Sequence, residues 1–490
     1  MIFNSIIYLF FLPFVTLIYY FVPIKTRWIW LLIASIGYYL TFIPIFIFLL
    51  LGMIVVNFPL SLRLGKVTGI RKNRMFAIII SLNIIILAFF KYFNIIFPDN
   101  QLSLFNVDFF YRVDPIEKMI LPLGLSYLTF SLLSYHIEIN RETIFPEKHL
   151  GYFSLYLLFF PKITQGPIER PQHFITQLKN PIAFNYFMLT NGLKLILWGY
   201  FKKLVVADRL AIYVNAVYNN SEHHNGTTLF VATIFFAFQI YADFSGYTDI
   251  ALGSAKMFGI NLTDNFKRPY LATSIQDFWN RWHITFSTWL RDYIFLPTAF
   301  SMTKKMQKPF FLHIASDKWI YFISIIVTFA ICGIWHGVGW TYLVWGLLFG
   351  IFLAFSNWTK EWRKKVKKDL KLRKGSSLYI IYSITLTFIL VSFAWIFFRA
   401  PSLTNAIKII KSIFTTSGPV FYESPAYFIF SVLGILVLIF SDIKREYFNK
   451  NLSVLYNKSQ LIRISGIVII VIIILLVGVF DGGQFIYFQY

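Results

Sequence analysis

The run WIYFISIIVTFAICGIWHGVGWTYLVWGLLFGIFLAFSNWT, residues 319–359, decides the fold. It holds no Asp, Glu, Lys or Arg, and its one histidine, His336, lies beside Gly333, Gly337 and Gly339. A helix crossing the hydrocarbon core needs about 20 largely apolar residues, with a lower limit of roughly 17. The 17 residues 319–335 and the 23 residues 337–359 meet that limit, so the stretch reads as two membrane helices joined by a glycine-flanked turn. An ionisable side chain in a membrane is costly and marks function. Neutral imidazole is well suited to take a proton near pH 7, which makes His336 a candidate general base.

Working outward, similar apolar runs recur at 1–24, 28–62, 75–90, 119–137, 225–242, 375–398, 424–441 and 464–480. The run 28–62 is too long for one crossing, and Pro44 offers a break. The run 1–24 lacks the short apolar core and small-residue cleavage site of a signal peptide, so it reads as an uncleaved span. Regions 149–210 and 243–300 are more polar and read as interior or partly inserted helices. Of 490 residues, 57% are apolar, 20% aromatic and 14% charged, against about 25% charged in soluble proteins. The net charge of +23 would suggest nucleic acid in a soluble chain. Here it sits in islands at 63–74, 304–318, 360–374 and 444–463, the pattern of basic cytoplasmic loops. That placement leaves the acidic segment 98–118 outside, together with the N-terminus and the last ten residues. The island 360–374, with nine Lys/Arg against two acidic residues, reads as a topogenic loop or as a lipid-headgroup or acyl-carrier contact. The composition excludes disordered, collagen-like and nucleic-acid-binding classes. It predicts an all-α polytopic integral membrane protein. The expected organisation is one membrane-embedded domain over 1–490, with N-terminal spans at 1–97, a core at about 100–400 and C-terminal spans and tail at 401–490.

Three other clusters carry chemistry. In YADFSGYTD (241–249), Asp243 and Asp249 share no helical face unless Gly246 breaks the helix, and each reads as an ion-pair or capping group or, for Asp243, as a support for a histidine. In SIQDFWNRWHITFSTWLRD (274–292), Ser274 and Asp277 form a capping-box-like helix start. Phe278, Trp282, Phe286 and Trp289 then fall on one stripe, with Trp279 and His283 beside it. On spacing alone His283 reads as a core histidine; the surrounding charges and indole donors raise it to a candidate. QGPIER (165–170) reads as a tight turn with a charged pair. A zinc site on His283 and His336 lacks ligands, since Cys332 is the only cysteine and no His-x₃₋₅-His occurs near them. His223 and His224 lie in a polar loop and read as solvated.

Taken together, DFSGY at 243–247, FWNRWHITFSTWLRDY at 278–293, IWHGVGWT at 334–341 and QGPIER resemble the membrane-bound O-acyltransferases (MBOATs). The nearest branch is the bacterial one holding the alginate O-acetylation membrane subunit and the D-alanyl transferase of teichoic acid. The resemblance covers roughly 100–400 and the C-terminal end. It implies a multi-helix bundle in the bacterial cytoplasmic (inner) membrane, with a funnel or tunnel to a buried histidine. It also implies His336 as the catalytic histidine and His283 as the second active-site position. The family moves an acyl group from a cytoplasmic thioester to a hydroxyl; in the polysaccharide branch an extracytoplasmic SGNH-esterase-like partner completes transfer to the polymer. The ending FIYFQY (485–490) resembles an aromatic end motif, in which Tyr487 is a candidate acyl carrier. An interfacial aromatic belt is its other reading.

The expected reaction follows. His336 removes the acceptor proton, and His283, an indole N–H of Trp279, Trp282 or Trp335, or the Asn280 amide holds the thioester oxygen. Asp243 orients a histidine. Acetyl-CoA or another acyl thioester is the donor, with no further cofactor and no metal. No GxSxG elbow points to a serine acyl-enzyme. D-alanyl transfer from a carrier protein is the alternative chemistry, and a proton-coupled transporter or flippase the alternative from another class.

Overall fold

The computed structural model describes residues 1–96, 122–306, 308–311, 314–369, 376–422, 424–448 and 454–480. Tyr487 with the aromatic tail, the acidic segment at 98–118 and the end of the island at 360–374 lie outside the described residues. The chain groups into two compact units, 1–192 with 254–262 and 193–253 with 263–490.

In the first unit, α1 (Ile6–Phe21), α2 (Arg27–Leu40), α3 (Phe46–Leu64) and α4 (Gly69–Ile96) precede α5 (Leu125–Asn140), α6 (Leu150–Leu158) and α7 (Pro171–Lys179). Pro44 falls in the gap between α2 and α3, where the run 28–62 needed a break. Asn57 of α3 and Asn83 of α4 exchange side-chain amide hydrogen bonds of 2.8 and 3.2 Å. Two buried polar groups on apolar helices thereby satisfy each other. Within the run 119–137 lies most of α5, 13 of whose 16 residues are buried. The QGPIER turn is buried here. Gly166 packs on Lys162, whose Cα would lie 2.3 Å from an added Cβ, and the Glu169 carboxylate lies 2.9 Å from His173 Nδ1.

The second unit takes in most of α8 (Tyr186–Tyr200), a π-helical continuation over Phe201–Ala207, α9 (Asp208–Tyr218) and most of α10 (Gly226–Met257). The short helices α11 (Ile275–Arg281), α12 (Ile284–Leu290) and α13 (Leu296–Lys305) follow, then a hairpin of β1 (Phe310–Phe311) and β2 (Ile314–Ala315). The remainder is α14 (Ser316–His336), α15 (Trp340–Trp358), α16 (Lys360–Asp369), α17 (Ser377–Arg399), α18 (Leu403–Thr415), α19 (Pro425–Tyr447) and α20 (Gln460–Val477). Among the described residues of the whole chain, eight helices are long and apolar enough to cross a membrane: α3, α4, α10, α14, α15, α17, α19 and α20. The protein is a multi-pass, all-α membrane protein.

Glycines set the closest approaches in this unit. The expected break at Gly246 is absent, and α10 runs unbroken for 32 residues. Gly246 instead lets α8 in: a Cβ there would lie 2.9 Å from the Gly199 carbonyl oxygen, and one on Gly199 would lie 2.7 Å from that of Gly246. The hairpin of α14 and α15 is built alike. A Cβ on Gly333 would meet the Tyr342 carbonyl oxygen at 2.4 Å, and one on Gly346 the Phe329 carbonyl oxygen at 2.2 Å. Small residues permit such backbone contact between membrane helices. Gly346→Val should therefore cost about 1–3 kcal/mol and lower the thermal midpoint in detergent by several degrees. Gly350→Ala should change it little, because its Cβ would meet side-chain carbons at 3.1–3.4 Å and only one backbone atom, Ile326 Cα at 3.5 Å.

Candidate active site

The site begins with a backbone bend. Ser274 caps α11, its Oγ accepting from Asp277 N at 3.1 Å as in a capping box, while the Asp277 carboxylate reaches one residue further back and accepts from Thr273 N at 3.0 Å. The continuous stripe expected through Trp289 does not form, because the helix stops at Arg281 and His283 takes a left-handed conformation with φ +43°. That conformation is unfavourable for a residue with a side chain and persists only when the surroundings over-determine it. Here they do. Ile284 N donates to the Asn265 carbonyl at 3.0 Å, Lys267 N to the Arg281 carbonyl at 2.9 Å, and Thr285 N and Oγ1 both donate to Asn265 Oδ1, at 3.1 and 2.9 Å.

The bend turns His283 inward, where it is 1% exposed. Its ring centroid lies 4.7 Å from that of Phe244 and 5.0 Å from that of Phe286. His336, 6% exposed at the end of α14, stands 5.9 Å from the same Phe286 ring. Trp335 and Trp345 flank it at 4.6 and 4.8 Å. Phe286 and Trp335, 4.3 Å apart, thus carry an imidazole on either side. His283 lies in the break between α11 and α12, outside the membrane-crossing helices, and burial pushes its pKa down to about 3. The ring is neutral. Its Nε2 and the indole nitrogens of Trp279 and Trp345 are buried with no hydrogen-bond partner among the described residues. A buried polar atom left so costs about 1–3 kcal/mol, and a bound carbonyl or hydroxyl would satisfy it.

Beside the imidazoles' helices runs a charged network. Lys203 Nζ lies 2.7 Å from Asp243 and 2.8 Å from Asp208; Lys202 Nζ lies 2.7 Å from Asp249 and donates to Ser245 Oγ at 2.9 Å. The Tyr241 hydroxyl donates to Asp442 at 2.8 Å. Among the described residues no group of three or more His, Cys, Asp or Glu is placed to hold a metal ion.

Residues 16–389 match the family model described as MBOAT, membrane-bound O-acyltransferase family. The chain belongs to the MBOAT family. Curated relatives agree. The peptidoglycan O-acetyltransferase of Helicobacter pylori is 30% identical over 421 residues, 80% of this chain and 74% of the relative. The Azotobacter vinelandii protein named "Probable alginate O-acetylase AlgI" is 29% identical over 419 residues, 85% of this chain and 78% of the relative. The teichoic acid D-alanyltransferase of Bacillus subtilis is 30% identical over 257 residues, 52% of this chain and 63% of the relative. The protein is a membrane O-acyltransferase, which sets aside the transporter reading.

In this MBOAT the structure gathers His283, His336, Trp279, Trp282 and Trp335 into one aromatic cluster with Trp345 and Trp395; Trp282 stands 5.2 Å from Trp395, which stacks on Trp345. Asn280 is not among them. It is exposed, since one step of about 100° around α11 from the inward Trp279 carries it to the outer face. Asp243 pairs with Lys203 and Asp249 with Lys202; the ion-pair reading holds with lysine in place of arginine. Lys202, Lys203 and Asp208 were missed, although two lysines inside an apolar stretch are the same signal that singled out His336. Lys203→Met would strand two buried carboxylates, a change that costs about 3–5 kcal/mol, and should abolish accumulation of folded protein in the membrane fraction; Lys203→Arg should restore part of it. Asn265→Ala would remove two hydrogen bonds from Thr285, at about 0.5–1.5 kcal/mol each, and should lower the thermal midpoint and the transfer rate together.

Proposed function

We propose that this MBOAT moves an acetyl group from acetyl-CoA, presented at the cytoplasmic face of the bacterial inner membrane, toward an exported polysaccharide, with His336 as general base. The observation that carries the reading is the pair of buried imidazoles on one Phe286 ring. His336 takes the proton of the attacking hydroxyl while its oxygen bonds to the thioester carbon. The neutral His283, protonated on the otherwise unpartnered Nε2, donates to the developing oxyanion, together with an indole N–H of Trp279. The C–S bond then breaks, and the leaving thiolate recovers the proton from His336. The first hydroxyl is that of Tyr487, from which an extracytoplasmic SGNH-esterase-like partner passes the acetyl group to the polymer. Acetyl is favoured over D-alanyl because the O-acetyltransferase relatives align with 80–85% of this chain and the Bacillus D-alanyltransferase with 52%.

General-base assistance is worth about 10²–10⁴-fold, and one oxyanion donor about 10²–10³-fold. In proteoliposomes given radiolabelled acetyl-CoA, His336→Ala should lose at least a hundredfold in acetyl transfer and His283→Ala about as much, both with unchanged size-exclusion profiles. Intact-mass analysis should find an acetyl adduct that Tyr487→Phe removes. Unchanged transfer by His336→Ala defeats the mechanism, and label moving only from a D-alanyl-loaded carrier protein defeats the donor.

A further inference from the structure

Within the second unit, Trp198 of α8, Phe201 just past its end, the helices α19 and α20, and Val454 and Leu455 enclose a groove of about 560 Å³. Its walls are apolar, with Phe430, Leu433 and Phe440 on one side and Ile469 and Ile473 on the other. Along α19 it runs from Phe430 to Arg445, about 22 Å at the rise of a helix, enough for the roughly 15 Å depth of one leaflet. α20 is tied down at its far end, where Val479 N donates to the Leu204 carbonyl at 3.0 Å and Arg209 to the Val477 carbonyl. Otherwise α20 buries little, 11% of its apolar window.

Only one end of the groove is charged, and its charge has one sign. Lys444 and Arg445 line it, resting on the faces of Phe440 and Trp198 at 5.8 and 5.5 Å. Lys194 lies over Tyr456 at 5.0 Å, and burial together with the nearby Arg463 guanidinium holds its ammonium pKa below the usual value. The carboxylates close in sequence have hydrogen-bonding partners of their own, Glu446 in Arg268 and Arg281 and Asp442 in Tyr241, while Asp442 also lies near enough to interact electrostatically with Arg445. Among the described residues none pairs with Lys444 or Arg445. The basic island at 444–463 is also one of those the charge rule places at the cytoplasmic surface, where anionic lipids concentrate.

We propose that this groove binds one anionic phospholipid of the cytoplasmic leaflet, its phosphate on Lys444 and Arg445 and an acyl chain between α19 and α20. The lipid supplies the packing that α20 lacks, apart from the acyl-transfer site.

The test uses the full-length protein, delipidated in detergent and titrated with phosphatidylglycerol or phosphatidylcholine of identical chains, adducts being read by native mass spectrometry. Wild type should retain phosphatidylglycerol more than tenfold better than phosphatidylcholine and regain thermal stability with it. Lys444→Gln/Arg445→Gln should bring the two lipids near parity, at about fivefold per charge removed. Gly434→Leu, which narrows the apolar part, should weaken both. Arg445→Gln alone, losing about fivefold, serves if the double variant aggregates. Equal retention of both lipids by wild type, or an undiminished preference in the charge variants, overturns the proposal. So does displacement by glycerophosphoglycerol, which would make the ligand a free phosphoanion.

Discussion

The left-handed turn at His283 is the constraint on which the candidate site depends. A helix continued through Trp282 would have sent the imidazole along its own stripe. The turn sends it against Phe286 instead, opposite His336. Asn265 holds this strained backbone by accepting three hydrogen bonds, one at its carbonyl and two at its side chain. The strain is local, and the hydrogen bonds that offset it come from the preceding loop, so the geometry does not rely on substrate to form. This is the usual arrangement where a fold preorganises polar atoms for charge that develops in a reaction.

Low dielectric governs the rest of the unit in the same way. Lys203 between two carboxylates, Lys202 on Asp249 and Tyr241 on Asp442 each place a polar atom where hydrocarbon would penalise it unless paired. These pairs join α10 to the end of α8 and to α19, and the bare backbones of Gly199 and Gly246 bring the first two close enough for lysine to reach. Packing and electrostatics are thus one device: glycine shortens the gap and the ion pair closes it.

The sequence was legible where length and hydropathy decide. The membrane helices, the gap at Pro44 and the hairpin centred on His336 follow from counting uncharged residues. The capping box at Ser274 follows from local chemistry. Periodicity could not reveal the stop at Trp282, because the hydrogen bonds that enforce it come from Asn265, whose partners are set by tertiary structure. For the same reason Gly246 misled: a glycine marks both breaks and close crossings, and only the neighbouring helix distinguishes them. Asn280 misled because adjacency to Trp279 in sequence is a quarter-turn apart in space. Trp345 and Trp395 carried no signal beyond an apolar context.

Lys202 and Lys203 are consecutive, yet both reach inward, toward different aspartates. An ordinary α-helix would separate them by about 100°; the wider π-helical winding over Phe201–Ala207 accommodates both on the buried side. The winding holds a surplus residue. Losing a single codon in that segment would tighten it to the regular form, set consecutive side chains about 100° apart and pull one ammonium out of register with its counterion. Length here, as well as identity, is what selection has to guard.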